Sequence, residues 1–253
     1  MILKIHTVSL FFPSLGYEKR VDYYQPDEEV QGVIYFHDGQ NVFIDENAGY
    51  GRSWRVKNFV ENHPQYKKYA IVAIWHGTER LYEYGPWQFS PEITTKLNDL
   101  NKRRLGGAGF DYVKDLAEVV VPYFTNQFKT SGDNCLLVGS SMGGLISLVA
   151  GCQYPERFGK IAAISNALWC NEEAFFDYLA SIIKFPSQVL VTYGDREAHG
   201  EITDDKYISP NQRLINVLKE KPTELKEMMV KGGRHHETHW EKLLPELFSM
   251  MEK

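Results

Sequence analysis

The stretch "LLVGSSMGGLISL", Leu136 to Leu148, sets the frame for the rest of the chain. It enters as an apolar, β-rich run and leaves as an apolar run of helical length stopped by Pro155. Between the two lies G-x-S-x-G, as Gly139, Ser140, Ser141, Met142 and Gly143. With each fixed residue near ~7% of positions, a chain of 253 residues has roughly a one-in-ten chance of such a match. The flanks therefore carry the reading, because strand, tight turn and helix are what a nucleophile elbow needs. A serine in that turn is strained, with its hydroxyl above the C-terminal edge of a sheet. Side chains at Gly139 and Gly143 would meet the neighbouring strand and helix. The helix that follows aims free N–H groups and its positive end at the serine, which makes the Met142 N–H a natural oxyanion donor. Ser140 precedes the elbow and is expected to point elsewhere.

Working outward, apolar runs of strand length recur at Gly32–Gly39, Tyr69–Trp75, Asn134–Ser140, Lys160–Ser165 and Gln188–Gly194. Helical patterns at Asp111–Phe128, Gly144–Pro155, "EEAFFDYLASIIKF" and "SPNQRLINVLKE" alternate with them. That alternation predicts an α/β fold with a mainly parallel central sheet and helices on both faces. "LKIHTVSL" and "KRVDYYQP" read as an antiparallel pair at the sheet edge. Without repeat, low-complexity tract or linker, residues 1–253 read as one domain. From Gly77 to Ala108 the chain is polar and aromatic, which predicts a long irregular connection. Within it, "GGAG" (Gly106 to Gly109) reads as a flexible hinge.

Composition excludes other classes. Of 253 residues, 43% are hydrophobic and 24% charged, enough for a sizeable core. A net charge of −5 argues against nucleic acid as a partner. "NKRR" (Asn101 to Arg104) reads as a solvated loop. No apolar run approaches the ~20 residues that span a bilayer, so no membrane partner is expected. Cys135, Cys152 and Cys170 are odd in number and unclustered, which predicts reduced thiols and a cytoplasmic protein. A homodimer is the expectation from general frequency.

A serine nucleophile needs a base. In the α/β-hydrolase order the acid and then the histidine follow the serine, each after a strand. "QVLVTYGDREAHG" offers Asp195 and Glu197 after a strand. "KGGRHHETHW" offers His235, His236 and His239 after a glycine turn. A zinc site would want H-E-x-x-H on one helix face, and His236-Glu237-Thr238-His239 is one residue short. A histidine base for Ser141 is the better reading, with no metal and no cofactor required.

Five stretches together resemble the Putative esterase family of α/β hydrolases, which includes enterochelin, feruloyl and acetyl esterases and, more distantly, S-formylglutathione hydrolase. They are "VIYFHDGQNVF", "ERLYEYGPW", "VGSSMGGLISL", "YPERFGKIAAISNALW" and "GGRHHETHWEKLLPELF", in order along nearly the whole chain. The resemblance implies that the first histidine of G-G-x-H-x-E-x-x-W, His235, is the base. G-x-x-[D/E] after the strand implies Glu197 as the acid, with Asp195 as runner-up. "HDGQ" implies the Gln40 N–H as second oxyanion donor. His37 and Asp38 are expected to pair and order that loop, and Arg80, Glu83 and Tyr84 to fix the loop beside the site. Trp87 and Phe89 either pack locally or line the pocket. The implied activity is hydrolysis of small or short-acyl carboxylic esters by a Ser141–His235–Glu197 triad. The alternatives are a siderophore-lactone or S-formylglutathione-type thioester hydrolase, a noncatalytic binding module, and a metal-dependent hydrolase.

Overall fold

A computed structural model describes residues 2–96 and 104–252. Eight strands form one sheet: β1 (Ile5–Phe12), β2 (Tyr17–Tyr24), β3 (Val33–Phe36), β4 (Ala70–Ile74), β5 (Cys135–Ser140), β6 (Lys160–Ile164), β7 (Gln188–Arg196) and β8 (Glu224–Arg234). Their order is β1-β2-β4-β3-β5-β6-β7-β8. The β1–β2 hairpin joins antiparallel, and β4 through β8 run parallel in the order given. The expected edge pair and mainly parallel sheet are both present.

The helices follow as α1 (Val56–Asn62), α2 (Arg80–Tyr84), α3 (Pro91–Lys96), α4 (Gly109–Asp115), α5 (Val121–Phe128), α6 (Met142–Gln153), α7 (Glu172–Ser181), α8 (Asp205–Lys219), α9 (Glu237–Trp240) and α10 (Leu244–Ser249). Alternate strand residues enter opposite cores, as period-2 geometry requires. Val33, Tyr35, Cys135 and Leu137 meet α4 to α8 through Tyr112, Leu145, Phe175 and Leu214. Ile34, Phe36, Leu136 and Val138 meet α1 and α10 through Val56, Val60, Leu244 and Phe248. Both faces are covered, which is why these strands read as continuous apolar runs. Cys135, Cys152 and Cys170 are buried and unpaired.

Some readings change. The helix expected at 111–128 is α4 and α5 joined by a π turn at Leu116–Val120. Helix α8 starts ahead of "SPNQ" and carries Pro210 inside it. The glycines Gly232 and Gly233 lie within β8 and do not form a turn after it. The long connection contains α2 and α3. "GGAG" is no loose hinge: Gly106, Gly107 and Ala108 donate to Leu81 O, Gly85 O and Tyr82 O at 3.2, 2.8 and 3.2 Å. Of "NKRR", only Arg104 lies among the described residues; its guanidinium stacks 3.7 Å from the Tyr82 ring. Among the described residues no helix is long and apolar enough to cross a membrane.

Candidate active site

Strand β5 ends at Ser140 and helix α6 begins at Met142, so Ser141 is the whole of the turn between them. Its backbone sits at φ 58°, ψ −124°, a conformation costly for a residue with a side chain. Surroundings enforce it. A Cβ on Gly139 would lie 2.1 Å from Gly143 O, and one on Gly144 would lie 2.0 Å from Asn166 Oδ1. At Gly143 the nearest atom would be His37 Cβ at 3.3 Å, so the strict glycines are Gly139 and Gly144. As first residue of α6, Met142 has an N–H with no helical acceptor. Ser140 is buried at the end of β5.

Parallel strands β7 and β8 deliver the next groups to the same sheet edge. Glu197 is buried just past β7, and its Oε2 lies 2.8 Å from His235 Nδ1. Its Oε1 accepts from Ser165 Oγ at 2.7 Å and from Gly194 N–H at 2.5 Å. Ser165 in turn accepts from Trp240 Nε1 at 3.0 Å. Burial alone would raise the Glu197 pKa; His235, Ser165 and Gly194 outweigh it and hold the carboxyl below its ordinary value. Burial pushes the His235 pKa down, against the pull of Glu197. The imidazole is therefore neutral at neutral pH and aimed by the carboxylate. His235 is also packed on its faces and edge, with ring centroids of His199 and Tyr207 at 4.5 Å and Trp240 at 5.0 Å.

Asp195 does different work: its Oδ1 accepts the Gly232 N–H at 2.6 Å, where Gly232 turns to φ 71°. His236 caps α9 by accepting the Thr238 N–H at 3.2 Å, and His239 lies within α9. Among the described residues no group of three or more His, Cys, Asp or Glu side chains is placed to hold a metal ion.

Ser141, Met142 and His235 line one cavity of about 830 Å³. On the β3 side its wall is Asp38 and Asn41. Gln40 is buried in the single 3-10 turn Gly39–Asn41 and does not line the cavity with its side chain. The turn's own bonds, Asn41 N–H to Asp38 O and Val42 N–H to Gly39 O, leave the Gln40 N–H out of the ladder. His37 and Asp38 do not pair with each other but take separate partners, and Arg80 and Tyr84 hold the loop. His37 Nδ1 meets Tyr112 OH at 2.9 Å, and burial pushes its pKa down to about 3. Asp38 takes a two-pronged bond from Arg80 at 2.6 and 2.7 Å, and its N–H donates to Tyr84 OH at 3.1 Å. Glu83 accepts from Lys19 Nζ at 2.5 Å, Tyr17 OH at 2.6 Å and, at the start of the long connection, the Gly77 N–H at 3.4 Å. Trp87 packs on Phe110 and Tyr178, and Phe89 is buried; neither lines the cavity.

Sequence reasoning missed Ser165, Trp169, His199 and Tyr207. No motif marks them. Only the register of β6 beside β7 brings Ser165 to Glu197.

Residues 14–250 match the model of the family described as "Putative esterase". The uncharacterized protein YbbA of Bacillus subtilis (strain 168) is 27% identical over 223 residues, covering 86% of this chain and 84% of that one. An IroE-like serine hydrolase from Shewanella oneidensis superposes with a TM-score of 0.78 at 18% identity, over 98% of this chain and 80% of that one. The enterobactin esterase of Shigella flexneri superposes with a TM-score of 0.69 at 17% identity, over 99% of this chain. This chain spans 60% of that larger protein. At these identities the structural likenesses establish the fold.

Proposed function

This chain belongs to the Putative esterase family and is a carboxylic ester hydrolase; we propose that it works through an acyl-enzyme on Ser141. Ser141 Oγ attacks the ester carbonyl as His235 removes its proton. The tetrahedral oxyanion is held by the N–H groups of Met142 and Gln40, each worth ~2.7–4 kcal/mol where such donors have been removed from other enzymes. His235 returns the proton to the leaving alcohol, and Glu197 orients and stabilises the imidazolium. Water then repeats the sequence on the acyl-enzyme. The carrying observation is the short Glu197–His235 bond set over the cavity that Ser141 enters in its strained turn.

The substrate is an ester small enough for the cavity of about 830 Å³. Buried, unpaired Cys135, Cys152 and Cys170 support a reducing, cytoplasmic setting. The test is hydrolysis of p-nitrophenyl esters from acetate to octanoate by wild type and by Ser141→Ala and His235→Ala. Each substitution is expected to lower kcat by about a thousandfold or more without unfolding the protein. Turnover retained in Ser141→Ala would sink the assignment. A larger loss in His239→Ala than in His235→Ala would move the base.

A further inference from the structure

The last strand of the sheet is long and its outer edge is open. Strand β8 stands at the end of the strand order, paired with β7 on one side, and runs for 11 residues. Lys226, Glu227, Met229 and Lys231 are exposed along it, Met229 at 55%. Its two faces are distinct. Odd-numbered residues meet the α8 side, where Leu225 packs on the core and Glu227 pairs with Lys219 at 3.0 Å. Even-numbered residues meet the α10 side, where Met228 and Val230 pack and Lys226 pairs with Glu246 at 2.6 Å. At Gly232 the backbone turns to φ 71° and the regular run ends.

An open edge offers a row of backbone N–H and C=O groups, and charges along it usually deter pairing. Here the charges match a second copy of the same strand. Two copies related by a two-fold axis perpendicular to the sheet run antiparallel and keep each face on its own side. Opposed residues must then share a face, so the axis passes through a residue and not between two. Centring on Lys226 or Glu227 sets like charges against each other, which destabilises a pair. Centring on Met228 puts Glu227 against Met229 and Lys226 against Val230, charge against apolar. Centring on Val230 puts Lys231 against Met229 and runs into the turn at Gly232. Centring on Leu225 opposes Glu224 and Lys226 but confines the ladder to the start of the strand. Centring on Met229 sets Met229 against Met229, Met228 against Val230 and Glu227 against Lys231. Lys231 is exposed and, among the described residues, has no acid within salt-bridge distance in its own chain. The opposite edge, β1, carries no acidic side chain, so no self-register there pairs opposite charges. Beside the axis on the α8 face lies a groove of about 360 Å³, lined by Tyr193, Ile215 and Met229. The second Met229 has a flexible thioether suited to filling it.

We propose that this protein forms a two-fold dimer by antiparallel pairing of β8 with β8 of a second copy, centred on Met229, so that the two sheets join edge to edge. Backbone ladder bonds supply affinity, and the two Glu227–Lys231 pairs set the register. The interface stands apart from the chemistry at Ser141.

Sedimentation velocity over a concentration series tests it, with wild type expected at twice the chain mass. Met229→Lys puts two ammonium groups across the axis. Glu227→Lys and Lys231→Glu each set like charges opposite one another twice. Each of the three should raise the dimer Kd by about tenfold or more. Mixing Glu227→Lys with Lys231→Glu restores opposite charges at both pairs, so the mixture should dimerise at concentrations where neither variant does alone. None of these residues lines the cavity that holds Ser141, so circular dichroism and p-nitrophenyl ester turnover report whether each variant is folded. Should the charge variants fail to fold, Met229→Cys tests the same contact. Opposed Cβ atoms in an antiparallel pair lie close enough for a disulfide, so mild oxidation should cross-link Met229→Cys and not Lys226→Cys. A wild type that stays monomeric throughout the series would overturn the proposal. So would a dimer that the three substitutions leave intact, single variants that stay apart when mixed, or cross-linking no faster through Met229→Cys than through Lys226→Cys.

Discussion

Glu197 and Asp195 stand two positions apart after the same strand, yet the structure gives them separate tasks. Glu197 has both oxygens occupied, one by His235 and the other by Ser165 and Gly194. Asp195 holds the Gly232 N–H instead. Glu197→Gln removes the charge and can present an amide N–H to Nδ1, selecting the wrong tautomer of His235. Its kcat should fall by about 10²–10⁴, whereas Asp195→Asn, whose Oδ1 still accepts from Gly232, should stay within about threefold. A reversed order in steady-state kinetics would exchange the two roles. Because burial lowers the His235 pKa, the imidazole is neutral above that value and charged below it. The profile of kcat/KM should therefore rise with pH through a limb below 6.5 and level off before neutrality. A limb centred above 6.5 would contradict the burial argument.

At the scale of elements, the site depends on how closely β7 approaches β8. A Cβ on Gly194 would lie 2.3 Å from Gly233 O, and the register shifts between Gly194 and Arg196. Backbone cannot swing away as a side chain can, so Gly194→Ala must separate the strands that carry Glu197 and His235. Urea denaturation should report a loss of about 2 kcal/mol or more, with kcat falling as well. Unchanged stability would mean that the strands have slack. This contact explains what was legible in the sequence and what was not. The elbow, strands and edge hairpin could be read because their signals are local: periodicity, and a serine between glycines. Gly232 and Gly233 looked like a turn because the reason for one of them, Gly194, lies on another strand. Trp169 and Tyr207 could not be read at all, since no local pattern marks a residue that the fold places in the cavity wall. His199 is a similar case. It sits in the loop after β7, stacked on His235, where its charge opposes that of His235 and its ring covers it. His199→Ala removes both effects, so the acidic limb of kcat/KM should move to higher pH; a fixed limb would deny the contact any influence.

Across the whole molecule, most buried carboxylates are given a cation or several N–H donors. Glu83 has Lys19, Asp38 has Arg80, and Asp115 takes the N–H groups of Ser14 and Leu15. Glu237 is the exception in the cavity wall. It is buried and accepts from the neutral Asn41 amide at 3.0 Å, tying α9 to the β3 loop, with Asp38 close enough to repel its charge. Burial, with Asp38 adding to it, raises its pKa to about 7. An unfolded chain would titrate the same group near 4.5. Between these values the folded protein holds a proton that the unfolded chain has lost, so this group's contribution makes stability fall as pH rises from 4.5 to about 7. Above that window the carboxylate is charged in both states and its burial is a constant penalty, on the order of 3 kcal/mol. Glu237→Gln keeps an oxygen for Asn41 and removes the titration. The variant should therefore be more stable than wild type at pH 8, with the difference shrinking as pH drops to about 4.5. Urea denaturation at a series of pH values measures it. A constant offset between the two proteins would show that Glu237 is ionised throughout, with Asn41 and Arg80 satisfying its charge.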